Sequence, residues 1–358
     1  MKVAVGLSGG VDSSVAALLL KRAGYEVVGV TMRLWKVGRY KGGAGDACFG
    51  PGEADDIAAA AEFADRIGIP YQVIDCADAY EREVIAYFRK ESLSGRTPNP
   101  CVICNSRMKF GLLPTLAAAG GIEFDTFATG HYARVGRLHG RYALLQAKDK
   151  QKDQSYFLCR LTQDQLARQL FPLGDLTKTE VRRLAADAGL SMAAKPDSQD
   201  FYSGDRSELI GVADRPGEIR TLDGRCVGRH KGFWHYTIGQ RKGLGIAVGE
   251  PYYVIRINAC RNEIVVGPWR ELVRTSFAIE DLTWVSVPPT AYPLPCRVKV
   301  RSTGEPRGPV MLALDGSCGG VCQAPNGMVG VAPGQFAVFY GEADEVLCGG
   351  IISPCVSR

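Results

Sequence analysis

No stretch of about 18 uncharged apolar residues occurs in the sequence, which excludes a membrane-spanning helix readable from hydropathy. The start, Met1-Lys2-Val3-Ala4-Val5-Gly6, lacks a charged leader followed by an apolar core, so neither secretion nor a membrane partner is expected. No Gly-Lys-Ser or Gly-Lys-Thr pair is present, which excludes the lysine-bearing nucleotide loop of common ATPases. Internal repeats, low-complexity tracts and the composition of a disordered chain are also missing. Hydrophobic residues make up 46% and charged residues 23%, ordinary usage for a folded protein.

At 358 residues the chain is long enough for large buried cores, and two or three domains are expected. The net charge of +5 suits a polyanionic partner, although a basic surface without one reads the same way. Twelve cysteines without an export signal point to a reducing, cytoplasmic setting. There, thiols serve packing, metal binding or redox chemistry before structural disulfides.

The first 200 or so residues alternate short apolar runs with helical patterns: strands at 3–7, 26–32 and 71–75, helices from Ser13 and over 53–67. That βαβαβ order predicts an α/β fold with a parallel sheet, right-handed crossovers, and a ligand site at the carboxyl ends of the strands. From about residue 206 the pattern shifts to Gly and Pro punctuation with short alternating strands at 296–300, 310–314, 336–340 and 346–352, which predicts a small C-terminal β-barrel. Between them lies a basic, Gly-rich stretch, residues 228–243, expected as a small central domain or a long linker. The expected domains are 1–205, 206–275 and 276–358.

The strongest local signal is Gly6-Leu7-Ser8-Gly9-Gly10-Val11-Asp12-Ser13-Ser14, directly after the first apolar strand and opening a helix. Glycines let backbone N–H groups approach phosphate oxygens, and the helix N-terminus adds about half a positive charge there. Ser8, Ser13 and Ser14 add hydroxyl donors, and Asp12 is placed to hold Mg2+ against the phosphates. The loop resembles the SGGxDS loop of the PP-loop ATP pyrophosphatases, which split ATP between its α- and β-phosphates.

The second signal is Thr97-Pro98-Asn99-Pro100-Cys101-Val102-Ile103-Cys104-Asn105. Its prolines fix an extended approach, after which two thiols sit one helical turn apart on the same side. A thiol at a helix start has its pKa lowered by the helix dipole, so at least one sulfur is expected to be nucleophilic near neutral pH. A zinc half-site or packing cysteines are the plainer readings, and no second close-spaced pair completes a zinc site.

Together with Ala128-Thr129-Gly130-His131-Tyr132-Ala133, Lys152-Asp153-Gln154-Ser155-Tyr156, His235-Tyr236-Thr237-Ile238-Gly239-Gln240-Arg241-Lys242-Gly243 and Ala332-Pro333-Gly334-Gln335, these segments make the whole chain resemble the bacterial tRNA-specific 2-thiouridylases, the MnmA family. The resemblance implies a PP-loop domain, a small central domain and a C-terminal β-barrel, with ATP and Mg2+ as cofactors and tRNA as partner. It implies that Gly6, Leu7, Ser8, Gly9, Gly10, Val11, Asp12, Ser13, Met32 and Gly130 contact ATP, and that Asn99, Pro100 and Cys101 meet the target base. Cys104 matches the nucleophile. His131, Lys152, Asp153, Gln154, Arg301, Ser302 and Gln335 match tRNA-contacting positions, although each alone would pass for an ordinary turn, loop or strand-edge residue.

The chain departs from that pattern in two places. Where the family carries a D-S-x-x-x-C stretch with its sulfur-bearing cysteine, this chain has Asp197-Ser198-Gln199-Asp200-Phe201-Tyr202, and tyrosine carries no persulfide. A position often Asp in the family is Cys101 here, which supplies a second thiol three residues before Cys104. The barrel's usual Arg-Tyr is Arg301-Ser302.

The expected chemistry is attack of a uridine C2 oxygen on the α-phosphate of ATP, loss of pyrophosphate, and replacement of AMP by sulfur. Two routes for sulfur stand open. Either Cys104 or Cys101 takes a persulfide from a sulfur-relay donor protein and the other resolves it, or both ligate an iron–sulfur cluster with a third cysteine such as Cys48. Rival readings are another PP-loop tRNA-modifying or amide-forming ligase, and a tRNA-binding or sulfur-carrying homologue without catalysis.

Overall fold

The computed structural model describes residues 1–43, 47–190, 200–247, 249–290, 292–315 and 318–354. Asp197, Ser198 and Gln199 therefore lie outside the described residues.

The first strand, β1 (Lys2–Gly6), is central in a five-stranded parallel sheet. With β2 (Glu26–Arg33), β3 (Ala47–Phe49), β4 (Tyr71–Asp75), β5 (Thr126–Thr129), β6 (Ala133–Leu138), β7 (Arg141–Gln146) and β8 (Gln169–Leu170) following in sequence, the sheet order is β4-β2-β1-β5-β8. Val3, Ala4 and Val5 are all fully buried because both faces of β1 are covered, as in a parallel sheet flanked by crossover helices. Val3 and Val5 join a core with α1 (Val11–Arg22), α2 (Glu53–Arg66) and the helix Lys178–Asp187. Ala4 points the other way, into a core containing Met108, Phe110 and Phe127. Alternation along one strand thus builds both layers.

Outside this sheet, β3 pairs in parallel with β9 (Asp200–Tyr202), Phe49 opposite Tyr202. The hairpin β6–β7 stands beside the sheet and carries the barrel. Leu145 bridges to Glu345, Leu144 N–H donates to Ser286 Oγ at 3.0 Å, and Thr97 N–H donates to the Pro333 carbonyl at 2.7 Å.

The basic central stretch is no linker. Strands β10 (Gly217–Thr221), β11 (Cys226–His230), β12 (Tyr252–Asn258) and β13 (Glu263–Pro268) form a sheet ordered β11-β10-β13-β12. Phe233 and Trp234 are buried, and the Trp234 indole N–H donates to Ser207 Oγ at 3.0 Å, fixing the segment against the helix Arg206–Ile210.

The C-terminal strands β14 (Arg274–Trp284), β15 (Leu294–Lys299), β16 (Arg307–Leu314), β17 (Gly320–Met328), β18 (Phe336–Tyr340) and β19 (Val346–Ile352) close into a barrel ordered β14-β17-β16-β15-β18-β19. Closure leaves no open sheet edge. Among the described residues its interior is filled by Phe277, Leu312, Phe339 and their neighbours, a packed core.

Candidate functional site

The loop after β1 is shaped by its own hydroxyls. Ser8 N–H donates to Ser13 Oγ at 3.1 Å, while the Ser13 and Ser14 hydroxyls donate to the Gly10 carbonyl at 3.1 and 3.0 Å. Gly9 adopts φ +67°, and a Cβ there would lie 2.4 Å from the Asp56 carbonyl oxygen, so only glycine fits. Gly130, after β5, packs so closely on the helix start that a Cβ would lie 2.6 Å from Ser13 N. Gly10 caps α1 without a side-chain bond, leaving the first N–H groups of the helix for an anion.

Asp12 is held from two sides. Lys178 Nζ donates to both of its carboxylate oxygens at 2.8 Å, and Tyr132 Oη donates to Oδ1 at 2.9 Å. A carboxylate has about four acceptor sites, so with three donors in place it retains room for one metal bond. The donor set of backbone N–H groups, hydroxyls and one carboxylate therefore fits a magnesium triphosphate. Lys178 supplies the cation that the loop lacks. Its placement rests on a capping box at Thr177 and Glu180, visible as Thr-x-x-Glu in the sequence, but nothing local says that the following lysine returns to the loop.

The thiol segment is built around Asn99. Its Oδ1 accepts the Val102 N–H at 3.3 Å and caps the short helix Pro100–Ile103, with Pro100 at the first helical turn. From Cys104 the chain widens into a π-helical stretch, Cys104–Leu112, whose Ser106 and Phe110 carbonyls accept from Gln165 Nε2 at 3.0 and 3.1 Å. In such a turn, residues five apart stack on one side, which brings Lys109 beneath Cys104.

The thiols depart from the expected acidity. Burial pushes Cys104 up to about 11 and Cys101 up to about 12. The helix that was to lower them has four residues, and Cys104 stands at its C-terminal end, so burial outweighs the dipole. Lys109 is the one group that pulls both thiols down. Burial works against its charge, yet Cys104, Cys48 and Cys101 outweigh this, and its pKa ends above the usual lysine value. His131, buried against Phe110 and Phe171, is held well below the usual histidine value by burial and then by Lys109.

These pieces meet in one cavity of about 470 Å³. The phosphate loop, Met32, Gly130 and His131 line it together with Pro100, Cys101, Cys104 and Gln154; Cys48 and Lys109 join them. Sequence reasoning missed Lys109, which lines the cavity, and Lys178, which is paired with Asp12.

The remaining expected residues lie elsewhere. Asp153 is buried and accepts from Gln146 Nε2 at 3.2 Å, Ala147 N–H at 3.0 Å and Ser155 Oγ at 2.8 Å, with Lys299 Nζ at 3.9 Å. It ties the hairpin to the barrel, while its neighbours Lys152 and Gln154 are half-buried. Gln335 spends its amide on the thiol segment. Nε2 donates to the Thr97 and Pro98 carbonyls at 3.1 and 3.2 Å, and Oε1 accepts from Asn99 Nδ2 at 3.3 Å. Arg301 is exposed and Ser302 half-buried, on the turn after β15. Tyr202 is core: it packs on Phe49 and donates its hydroxyl to Glu208.

Comparison with known proteins places these features in a wider set. A family described as the tRNA methyl transferase HUP domain matches residues 1–202, its PRC-barrel domain 210–268, and an aminomethyltransferase β-barrel domain 274–352. A tRNA-specific 2-thiouridylase MnmA from Endomicrobium trichonymphae is 43% identical, covering 98% of this chain and 99% of that relative. The protein of the same name from Synechocystis sp. is 43% identical over 99% and 97%. Among solved structures, an NMN synthetase from Francisella tularensis is 17% identical and aligns with TM-score 0.34 over 59% of this chain and 72% of that one, too distant to carry an argument.

Proposed function

The chain belongs to the tRNA-specific 2-thiouridylase family, and on that premise we propose that it replaces the C2 oxygen of the tRNA wobble uridine, U34, by sulfur at the expense of ATP. The observation that carries this reading is the shared cavity, in which a phosphate loop and two thiols face one another across the space a flipped base would fill. Because tRNA is the substrate, the working compartment is the cytoplasm.

In the first step the uridine C2 oxygen attacks the α-phosphate, and pyrophosphate leaves against the N–H groups of Gly9 to Ser13. Asp12 would hold magnesium there, which when bound would supply charge neutralisation to the phosphates. Lys178 keeps Asp12 oriented. In the second step the outer sulfur of a Cys104 persulfide attacks C2 and AMP departs. The Cys101 thiolate then attacks Cys104 Sγ, releasing thiouridine and leaving a Cys101–Cys104 disulfide for a dithiol reductant to open. Lys109 stabilises the anionic sulfur in both exchanges.

The cluster route fits these residues less well. Cys48, Cys101 and Cys104 line the same cavity, but among the described residues no group of three Cys, His, Asp or Glu side chains is placed to hold a metal ion. No step is therefore assigned to iron. Recombinant protein incubated with ATP, a persulfide and unmodified tRNA should make thiouridine and AMP without iron. Activity only after iron and sulfide reconstitution would favour the cluster, and neither product under any condition would leave a tRNA-binding homologue without catalysis.

A further inference from the structure

Sulfur for each turnover comes from outside the chain, and a donor must bring its own sulfur into contact with the thiol that receives it. Of the described cysteines, only Cys48, Cys101 and Cys104 line the cavity. Cys101 and Cys104 are half-buried, whereas Cys48 is exposed. The chain holds it so by simple alternation. β3 has three residues, and Phe49 is buried against Trp35, Tyr40, Tyr80 and Tyr202, which turns the preceding side chain to the opposite face.

The strand cannot easily slip, because Phe49 and Ala47 are registered against Tyr202 and Asp200 of β9. Cys48 is within electrostatic reach of both inner thiols and of Lys109, and the buried Tyr80 hydroxyl beneath them feels Cys104, Cys101 and Cys48 together. The other exposed cysteines, Cys226, Cys260 and Cys318, line no part of this cavity. One thiol thus stands open at the rim, two stand deeper, and one cation serves all three.

We propose that Cys48 is the receiving thiol of a two-step sulfur relay, taking sulfane sulfur from an external persulfide and passing it inward to Cys104. The proposal rests on the persulfide reading above. In the first exchange the Cys48 thiolate attacks the outer sulfur of the donor persulfide, the donor S–S bond breaks, and the donor leaves as a thiolate. In the second, the Cys104 thiolate attacks the outer sulfur on Cys48, and Cys48 departs as a thiolate. Each attacking thiol gives up one proton and each departing thiolate takes one, so no oxidant or reductant is consumed. A donor can then load the chain without reaching the half-buried thiols itself.

The test uses the full-length protein, glutathione persulfide as sulfur probe, and Mg-ATP with unmodified tRNA. In Cys104→Ser, alkylation and peptide mapping should find sulfane sulfur on Cys48. In Cys48→Ser and Cys48→Ala, thiouridine formation should fall about tenfold while pyrophosphate release stays at the wild-type rate, which also shows that the variants fold. Cys226→Ser serves as the exposed-thiol control. Wild-type thiolation by both Cys48 variants, or no sulfur on Cys48 in Cys104→Ser, overturns the relay. If sulfur still appears on Cys104 in the Cys48 variants, the relay alone falls. If the wild type thiolates tRNA with sulfur on no cysteine, the persulfide reading falls with it.

Discussion

Lys178 Nζ lies 2.8 Å from both carboxylate oxygens of Asp12, joining the helix Lys178–Asp187 to the first turn of α1 beneath the phosphate loop. The loop carries no lysine of its own, so its positive charge arrives from a residue 166 positions away. A double-mutant cycle measures that link. Asp12→Ala and Lys178→Met should each destabilise the chain, and the double variant should lose about 1–2 kcal/mol less than the sum, because the pair is in contact and partly buried. Asp12→Ala should also abolish pyrophosphate release while tRNA affinity changes little. Unchanged turnover, or strict additivity, contradicts the arrangement.

Gln335 yields a second prediction. Its amide holds the Thr97 and Pro98 carbonyls and Asn99 from the barrel side, so its role in the free chain is to position the thiol segment. Gln335→Ala should lower kcat by about ten- to a hundredfold through misplacement of Cys101 and Cys104, with tRNA Kd nearly unchanged. A loss confined to tRNA affinity would instead mark a direct contact.

Cys104→Ser should still release pyrophosphate and build up AMP-bound tRNA, detectable by mass spectrometry, because adenylation precedes sulfur attack. Normal thiolation by this variant would remove Cys104 from the reaction.

The thiols also set a pH dependence. Protons on Cys104 and Cys101 are held to about 11 and about 12 in the folded chain, against an ordinary value of 9.0. Their contribution to stability is therefore complete below pH 9 and declines as pH climbs through 11 and 12. Iodoacetamide alkylation of Cys104 should accelerate about tenfold per pH unit between pH 7 and 9. Lys109→Met should slow it at every pH, since Lys109 is the group that favours the thiolate. An alkylation rate already flat at pH 7 would mean an acidic thiol after all.

Tyr202 has a structural task. It is buried against Phe49 and bonded to Glu208, so Tyr202→Ala should cost about 3 kcal/mol, read as a lowered Tm. Tyr202→Phe should retain activity. Loss of sulfur transfer with the fold intact would give Tyr202 a chemical role.

Much of this was legible in the order of residues. The apolar run at β1 followed by Gly6 to Ser14 specifies strand, loop and helix locally, because the period of apolar positions and the glycines act over a few residues. Four of the barrel strands, β15, β16, β18 and β19, were legible for the same reason, through alternation broken by Gly and Pro, whereas β14 and β17 were not read. What escaped depends on tertiary burial or on irregular geometry. Cys101 and Cys104 look like helix-start thiols in the sequence, yet neighbours far along the chain bury them and reverse the expected shift. Lys109 is out of phase with Cys104 for an α-helix and comes into register only through the π-helical turn. Asp153 reads as part of a polar loop, but its carboxylate is fully bonded inside the fold.

The central claim is that the phosphate loop and the thiols act on the same uridine within one cavity. The most direct measurement follows the oxygen that leaves. With tRNA carrying oxygen-18 at C2 of the target uridine, the account predicts that released AMP gains the label and that labelled AMP and thiouridine appear in equal amounts. Thiouridine formed with the label in water or pyrophosphate, and none in AMP, would contradict it.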